Sequence, residues 1–343
     1  MSGGLDSTVT AAMLHDEGYE VIGITMKTWD YATSDARQVA VDMGFHHFII
    51  DIREEFGESV IDYFVDEYLS GRTPNPCVMC NTHIKWSALL KRADALDCEF
   101  IATGHYAQTR QENNRWVISK GLDRSKDQSY VLWGLSQENL ARNMFPVGGF
   151  HKTEIRQMAL DMGYESLAKK AESYEICFVP DNDYRGFLKR NVDGLEQRVA
   201  GGNFVNIKGE VIGTHDGYPF YTIGQRRGLG KAFGKPTYVL EINPQTNTVT
   251  LGDEEHLARR AMIVKGYNGV KYDTIPTEGL DTITKIRYND AGMNAAAYGL
   301  DDGRVKVQFT HAVNAITPGQ SAVMYDGDDV VGGGHIEIPI FEN

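Results

Sequence analysis

Cysteine is scarce in this sequence, and long apolar runs and a signal-peptide pattern are missing from it. The 343 residues include four cysteines, Cys77, Cys80, Cys98 and Cys177, too few for a scaffold held by disulfides. No apolar run approaches the ~20 residues that span a membrane, and no basic-then-apolar leader opens the chain. We therefore expect a cytoplasmic protein with no membrane contact, in which paired cysteines serve catalysis or metal binding.

Positive charge is also in short supply. The chain has 34 Lys and Arg against 47 Asp and Glu, a formal net charge of -13 at pH 7. This balance argues against non-specific binding of nucleic acid, which depends on cationic contacts to phosphate. The charge is unevenly distributed, because residues 224–235 carry Arg226, Arg227, Lys231 and Lys235 without an acid, whereas residues 311–343 have no Lys or Arg. A local basic surface remains compatible with the sequence.

Strand-like and helix-like segments alternate over the first part of the chain. Apolar residues recur with helical spacing in residues 36–43, 61–68 and 86–93, between the β-rich runs 20–26, 45–52 and 99–104. This alternation predicts a parallel sheet with helices on both faces. Beyond about Val199 the pattern changes to short β-rich runs separated by Gly and Pro turns. We predict an α/β domain in residues 1–198, followed by two small β domains in residues 199–260 and 261–343.

A glycine-rich turn, SGGLDS at residues 2–7, opens the first predicted helix. Backbone N–H groups at such a turn, together with the helix dipole, bind phosphate. Gly3 and Gly4 allow a close approach to the backbone, and the hydroxyls of Ser2 and Ser7 can donate to phosphate oxygens. The turn lacks the lysine of GxxxxGKS and the spacing of GxGxxG. It resembles the PP-loop of the ATP pyrophosphatases, which adenylate a substrate oxygen. An ordinary capped turn is the alternative, which its place in a β/α alternation disfavours.

A CxxC pair follows two prolines in GRTPNPCVMCN, residues 71–81, and runs into a predicted helix. A helix N-terminus lowers the pKa of a thiol, so we expect thiolate character here. The spacing alone is compatible with a redox pair, half of a zinc site or a reactive pair, and zinc is disfavoured because no second CxxC or HxxxH is present. Cys177 lies far along the chain in SYEICFVPDNDYRGFL, and Cys98 is expected to be a small buried hydrophobe.

Seven motifs follow one another over almost the whole length: SGGLDS, GRTPNPCVMCN, IATGHYA, KDQSYVLWGL, EICFVPDNDY, YTIGQRRGLG and TPGQ. Together they resemble the tRNA-specific 2-thiouridylase family. The resemblance implies an α/β PP-loop domain with a parallel sheet, a small central β domain and a C-terminal β-barrel. It also implies that ATP adenylates the C2 oxygen of the wobble uridine of tRNA and that a cysteine persulfide replaces this oxygen by sulfur. The products would be 2-thiouridine, AMP and pyrophosphate.

By motif position, the resemblance implies three sets of site residues. Cys177 would carry the persulfide, and Cys80 would be its partner, either forming a disulfide with it or acting as a nucleophile in the transfer. ATP would bind Met1, Ser2, Gly3, Gly4, Leu5, Asp6, Ser7, Thr8, Met26 and Gly104. The tRNA would contact Asn75, Pro76, Cys77, His105, Lys126, Asp127, Gln128, Arg287, Tyr288 and Gln320. Mg²⁺ is expected on the ATP phosphates, aided by Asp6, and a sulfur carrier or cysteine desulfurase is the expected donor protein.

Two departures from the family pattern leave alternatives. Cys77 stands where many members have Asp, so Cys77, Cys80 and Cys177 could instead ligate a [4Fe–4S] cluster whose open iron holds hydrosulfide. We rank the persulfide relay first. Members also carry a hydrophobic strand before the PP-loop, whereas this sequence has only Met1 there. Either the sequence begins late, which we expect, or the strand is truly absent. Two rival classes are another PP-loop adenylating synthetase, which needs no distal cysteines, and a non-catalytic tRNA-binding protein, which releases no pyrophosphate.

Overall fold

Helices and strands alternate at the start of the chain, and strands dominate its end. The computed structural model describes residues 1–28, 34–169, 176–231 and 233–340. The described helices are α1 (Leu5–Asp16), α2 (Ser34–Asp42), α3 (Arg53–Phe56), α4 (Asp62–Leu69), α5 (Pro76–Met79), α6 (Trp86–Ala95), α7 (Gln137–Ala141), α8 (Lys152–Asp161), α9 (Glu165–Lys169), α10 (Tyr184–Asn191) and α11 (Leu195–Val199).

The strands follow the same chain order. They are β1 (Ile22–Lys27), β2 (His46–Asp51), β3 (Ile101–Ala102), β4 (Ala107–Glu112), β5 (Arg115–Lys120), β6 (Asn143–Met144), β7 (Gly202–Val205), β8 (Val211–His215), β9 (Tyr238–Asn243), β10 (Thr248–Gly252), β11 (Ala258–Gly269), β12 (Leu280–Lys285), β13 (Met293–Gly299), β14 (Val305–Asn314), β15 (Ser321–Asp326) and β16 (Asp329–Ile340).

The chain divides into two compact units, each assembled from separate segments. The first unit contains Met1–Ser59, Cys77–Tyr174 and Asp328–Val331. The second unit contains Val60–Pro76, Glu175–Gly327 and Gly332–Asn343. The boundaries proposed from sequence, 1–198, 199–260 and 261–343, follow the order of the motifs and stay a prediction.

Parallel strand pairs confirm the predicted α/β class. In the first unit β1 pairs with β2 in parallel, with Ile22 opposite His46, and β3 pairs in parallel with β6. Among the described residues these are two separate two-stranded sheets. The core of this unit lies where α1 meets α8, and it buries Leu5, Val9, Tyr106, Val147, Ile155 and Ala159. Burial of each large side chain contributes about 1.5–3 kcal/mol, so this cluster holds α1 against α8.

Two of the predicted helices are wider than an α-helix over part of their length. A π-helical segment, Gly57–Ile61, joins α3 to α4, and a second, Cys80–Lys85, joins α5 to α6. Apolar spacing predicts the helices but not this local change of pitch. Segments of this kind rotate the side chains that follow them and are frequent at functional sites. The second segment begins at Cys80.

A hairpin that the sequence analysis did not predict follows the IATGHYA motif. Strands β4 and β5 pair antiparallel with Glu112 opposite Arg115, so Asn113 and Asn114 form a two-residue loop. Both asparagines have positive φ, 49° and 61°, as a type I′ turn requires. Within the first unit, Asp329 pairs with Ser119 of β5 and accepts hydrogen bonds from Arg110.

The second unit contains the two predicted β domains. A four-stranded sheet has the order β8-β7-β10-β9. Six strands in the order β11-β14-β13-β12-β15-β16 form a barrel that the β11–β16 pairing closes, which confirms the expected C-terminal barrel. No helix in the described part of the chain has the length and apolarity needed to cross a membrane.

Adjacent glycines in the 3₁₀ turn before α8 give a matched test of the packing around Tyr106. A Cβ on Gly148 would lie 1.7 Å from the carbonyl oxygen of Ala107, whereas a Cβ on Gly149 would meet nothing within 4 Å. Because backbone cannot move aside cheaply, we expect Gly148→Ala to lower the free energy of unfolding by about 3 kcal/mol.

Gly149→Ala is the control and should change the free energy of unfolding by less than about 1 kcal/mol. Urea titration followed by tryptophan fluorescence measures both variants. Equal midpoints for the two would contradict the close contact between the turn and β4.

Candidate nucleotide and thiol sites

The turn at residues 2–7, called the PP-loop here, is preformed by its own hydrogen bonds. Gly3 has a φ of 70°, a conformation that glycine adopts without strain. The N–H of Ser2 donates to Ser7 Oγ at 3.1 Å, and that hydroxyl donates to the carbonyl of Gly4 at 3.1 Å. No described side chain caps α1, so the N–H groups of its first turn are available to an anion.

The predicted strand-end residues lie beside this loop. A Cβ on Gly104 would come within 2.9 Å of Asp6 and 3.0 Å of the Ser7 nitrogen, so the glycine allows the two segments to touch. Thr25 Oγ1 donates to the carbonyl oxygen of Met1 at 2.7 Å, which places the end of β1, with Met26, next to the start of the loop. The first unit thus brings together all ten residues that the resemblance assigns to ATP.

Asp6 takes part in a partly buried cluster that the sequence analysis missed. Lys152 Nζ donates to the two carboxylate oxygens of Asp6 at 2.6 and 2.8 Å, and the hydroxyl of Tyr106 donates to Oδ1 at 2.8 Å. Lys152 begins α8 and is buried, and its own N–H donates to Asp123. A Mg²⁺ ion bound by Asp6 would compete with this lysine. No local signal marks Lys152, because its partner lies 146 residues away.

His105 is a half-buried side chain with two aromatic neighbours. Its Nδ1 shares a hydrogen bond of 2.9 Å with Thr103 Oγ1, and its ring lies 5.7 Å from the ring of Trp86 and 5.9 Å from that of Phe145. Burial holds the pKa of His105 well below its usual range, and Lys85 lowers it further. The geometry therefore supports stacking or hydrogen bonding by a neutral imidazole, and not a charged contact to phosphate.

Residues 126–128 shape the loop that supports Tyr106. The Asp127 carboxylate accepts hydrogen bonds from the N–H groups of Gly121 and Ser129, both at 3.1 Å. Gln128 Oε1 accepts the N–H of Tyr106 at 3.0 Å, and the Gln128 N–H donates back to the Tyr106 carbonyl at 2.8 Å. The N–H of Lys126 donates to the Asp123 carbonyl at 3.0 Å. Asp127 and Gln128, which were expected to contact tRNA, thus support Tyr106, whose hydroxyl donates to Asp6.

The two cysteines of the CxxC pair differ in exposure but not in the direction of their pKa shifts. Cys77 is exposed in α5, and Cys80 is buried at the start of the π-helical segment. Desolvation by the surrounding protein raises the pKa of both thiols, and the Lys85 ammonium partly offsets it. The expectation of a depressed pKa is therefore wrong, because desolvation outweighs the helix dipole at both thiols.

Cys98 is half-buried and not the fully buried hydrophobe that was expected. Partial burial raises the pKa of its thiol, and the carboxylates of Glu20 and Asp97 raise it further. Nothing in its surroundings resembles the CxxC segment, so it serves as a reference thiol for experiments.

Cys177 lies in the second unit, exposed in a turn. The next residue, Phe178, is buried, with its ring 5.2 Å from that of Phe64 and 5.3 Å from that of Phe187. This aromatic anchor fixes the turn while the thiol points to solvent. Residues 170–175, which precede it in the motif, lie outside the described residues.

The other predicted tRNA contacts lie in several places. Asn75 donates its N–H to the Tyr63 hydroxyl at 3.4 Å, and Gln320 bonds to the two residues before Asn75 and Pro76. Arg287 and Tyr288 are exposed in the loop after β12. In the basic segment Arg226, Arg227 and Lys231 are exposed, Lys235 pairs with Asp253, and Ala232 lies outside the described residues.

One further cluster carries metal-ligand chemistry. Asp253, Glu255 and His256 are the single group of three such side chains within 4.8 Å of one another in the residues described. Lys235 lies 2.6 Å from the Asp253 carboxylate and neutralises part of its charge. Asp253, one of the three, is therefore already paired with a cation.

The Asp6–Lys152 pair predicts a large effect of a single substitution. Lys152→Met leaves the Asp6 charge partly buried without its cation, so we expect the free energy of unfolding to fall by about 3 kcal/mol. Lys169→Met, in an exposed pair with Glu165, is the control and should change it by less than about 0.5 kcal/mol. Urea denaturation measures both, and equal effects would contradict a structural role for the buried pair.

The raised thiol pKa values predict slow alkylation at neutral pH. Only the thiolate reacts, so Cys77 and Cys80 should be alkylated more slowly in the folded protein than in the unfolded chain at pH 7. Their rates should still rise at pH values above about 8.5, where unfolded cysteine levels off. Timed iodoacetamide labelling with peptide mass spectrometry checks this. A plateau below pH 7 would show depressed pKa values instead.

Models of three domains match consecutive parts of the chain. They are described as tRNA methyl transferase HUP domain, over residues 1–181, tRNA methyl transferase PRC-barrel domain, over residues 186–253, and Aminomethyltransferase beta-barrel domain, over residues 259–336. Their order agrees with the α/β region, the four-stranded sheet and the closed barrel.

Curated relatives match over nearly the full length. Three of these relatives carry the name tRNA-specific 2-thiouridylase MnmA. They come from Cytophaga hutchinsonii, Amoebophilus asiaticus and Salinibacter ruber and are 58%, 56% and 56% identical to this chain. Each alignment covers 98% of this chain, and 96%, 94% and 92% of the respective relative. Identity at this level over both chains shows that the protein belongs to the tRNA-specific 2-thiouridylase family.

Proposed function

We propose that the protein uses ATP to replace the C2 oxygen of the wobble uridine of tRNA by sulfur. The names of the relatives support tRNA as substrate and 2-thiouridine as product. The observation that carries the nucleotide part is the uncapped N-terminus of α1 behind the Gly3–Gly4 turn, where Gly104 touches the loop with no side chain between them. Such a backbone concavity binds phosphate.

In the first step the uridine C2 oxygen attacks the α-phosphate of ATP, and pyrophosphate leaves. The carbon then carries an adenylate leaving group and becomes electrophilic. The N–H groups of the first turn of α1 would hold the phosphates, and Ser2 and Ser7 would turn their hydroxyls toward them. Mg²⁺ bound near Asp6 would neutralise phosphate charge. Lys152 is close enough to Asp6 to compensate the carboxylate before the nucleotide binds.

Sulfur transfer uses the two cysteines that the resemblance pairs. The Cys177 thiolate takes the terminal sulfur of a persulfide on the donor protein, whose own thiolate leaves. The Cys80 thiolate attacks the Cys177 sulfur, so a disulfide forms and hydrosulfide departs. Hydrosulfide adds to the adenylated carbon, and AMP leaves. Both thiols supplied the electrons that reduced the transferred sulfur, so a thiol reductant must reopen the disulfide before the next cycle.

The exposures of the two cysteines support this division of roles. Cys177 must be reached by a donor protein, and it is exposed. Cys80 must stay unreactive until a persulfide is present, and it is buried with a raised pKa. In the alternative version of the step Cys80 acts as a nucleophile only after the persulfide sulfur has reached the uridine.

The cluster alternative rests on the third thiol, Cys77. Three cysteine ligands suit a [4Fe–4S] cluster, although the raised pKa values of Cys77 and Cys80 disfavour their thiolates when no iron is bound. Cys77→Asp restores the residue that many family members have and removes one ligand. Full activity of this variant, with no iron and no visible cluster absorption in active wild-type protein, would exclude the cluster.

The direct test measures nucleosides. In a single turnover without added thiol, wild-type protein with wobble-uridine tRNA, ATP, Mg²⁺ and a persulfide-loaded donor should form 2-thiouridine and release pyrophosphate in equal amount. Cys80→Ser and Cys177→Ser should reduce 2-thiouridine to background, because each removes a sulfur that the balanced reaction needs. Cys98→Ser is the matched control and should keep the wild-type rate.

Three outcomes would contradict the proposal. Absence of 2-thiouridine under both reducing and anaerobic conditions would overturn it. Pyrophosphate release with full turnover in Cys177→Ser would indicate another adenylating synthetase. Binding of tRNA with no pyrophosphate release would indicate a non-catalytic tRNA-binding protein.

A further inference from the structure

The turn between strands β14 and β15, residues 317–320, is called the barrel turn here. Three hydrogen bonds join it to the segment just before Asn75 and Pro76. The N–H of Thr73 donates to the carbonyl of Pro318 at 2.9 Å. Gln320 Nε2 donates to the carbonyls of Thr73 and Pro74 at 3.2 and 2.8 Å. All of these residues belong to the second unit.

The barrel turn is itself held rigidly. The N–H of Gly319 donates to the carbonyl of Ile336 at 2.9 Å, and the N–H of Ile336 donates to the carbonyl of Gln320 at 2.8 Å. The N–H of Gln320 closes the turn on Thr317 at 3.2 Å. Strand β16 therefore fixes the turn from behind, and the turn can impose its geometry on the segment in front of it.

Because Gly319 has no side chain, the backbone of the barrel turn can lie directly against the backbone of Thr73. A Cβ there would lie 2.6 Å from Glu67 Oε2 and 2.7 Å from the Thr73 carbonyl oxygen, and its φ is 90°. Glu67 in turn bonds the guanidinium of Arg72 through Nε at 2.8 Å and through Nη2. The residues before Asn75 are thus held on one side by the Glu67–Arg72 pair and on the other by the barrel turn.

We propose that the barrel turn positions the loop of residues 73–76 for the target base and that Gln320 is a positioning residue in this device. The inference rests on the proposed function, in which Asn75 and Pro76 meet the uridine. The side-chain amide of Gln320 is already used on two protein carbonyls, so its effect reaches tRNA through the loop. A loop ordered before substrate binds loses less conformational freedom in the reactive complex.

The first test separates binding from chemistry with Gln320→Met, which keeps the length of the side chain and removes its donor. Filter binding measures the Kd for tRNA, and single-turnover assays at saturating tRNA measure 2-thiouridine formation. Loss of two hydrogen bonds that order the loop should slow formation by about tenfold, with the Kd changed by less than about twofold. A tenfold weaker Kd with an unchanged rate would show a direct tRNA contact and overturn the proposal, as would no change in either.

A pair of glycine variants tests the contact from the other side. Gly319→Ala adds both backbone strain and the clash with Thr73, so it should reproduce the rate loss of Gln320→Met. Gly303→Ala has a comparable φ of 79° with nothing within 4 Å of the added Cβ, so it should keep the wild-type rate. Equal rate losses in the two variants would indicate general strain in the barrel and contradict positioning.

Hydrogen exchange keeps the inference separate from the proposed function. In Gln320→Met the amides of Thr73 and Asn75 should exchange about tenfold faster, while those of β7 and β10 stay unchanged. This result is independent of activity. If wild-type protein makes no 2-thiouridine, the proposed function fails. The exchange data still test whether the barrel turn orders the loop of residues 73–76. Unchanged exchange at the amides of Thr73 and Asn75 would contradict the ordering of this loop by the barrel turn.

Discussion

The partly buried ion pair between Asp6 and Lys152 is the interaction on which the proposed nucleotide site depends. Burying a charge is costly unless an opposite charge and further hydrogen bonds accompany it, and here Tyr106 supplies the additional donor. Asp6 also lies in the first turn of α1, where the helix dipole favours a negative charge. The carboxylate therefore has a stable position, and with it the first turn of α1 is held against α8.

Tyr106 connects this pair to the rest of the first unit. Gln128 holds its backbone on both sides, and Asp127 holds the loop that carries Gln128. Residues that the family pattern associates with tRNA thus support Tyr106, which bonds Asp6 beside the proposed ATP site. One loop can both support Tyr106 and contact tRNA, because a loop whose backbone is held in place presents the same atoms to every substrate. The same reasoning applies to the barrel turn and the loop of residues 73–76 in the second unit.

Local patterns predicted most of the elements, and the exceptions have physical causes. Helices α1, α2, α4, α6 and α8 lie where apolar residues recur with helical spacing, because one stripe of each must be buried. The π-helical segments were missed because they add a residue to a turn without changing composition. The β4–β5 hairpin had a usable signal in Asn113 and Asn114, two residues that tolerate positive φ, between alternating strand-like residues.

The sequence by itself determined the glycine-rich turn that we propose binds phosphate, the succession of α/β and β regions and the positions of the cysteines that we propose transfer sulfur. These features depend on neighbouring residues, whose backbone preferences and spacing act locally. Tertiary structure alone decided the partner of Asp6, 146 residues away, and the hydrogen bonds of Gln320 to two residues 246 and 247 positions earlier. It also reversed the expected thiol pKa shift, because desolvation depends on how many distant atoms surround a group. Periodicity and motif spacing carry no information on such encounters, since only the folded chain brings those atoms together.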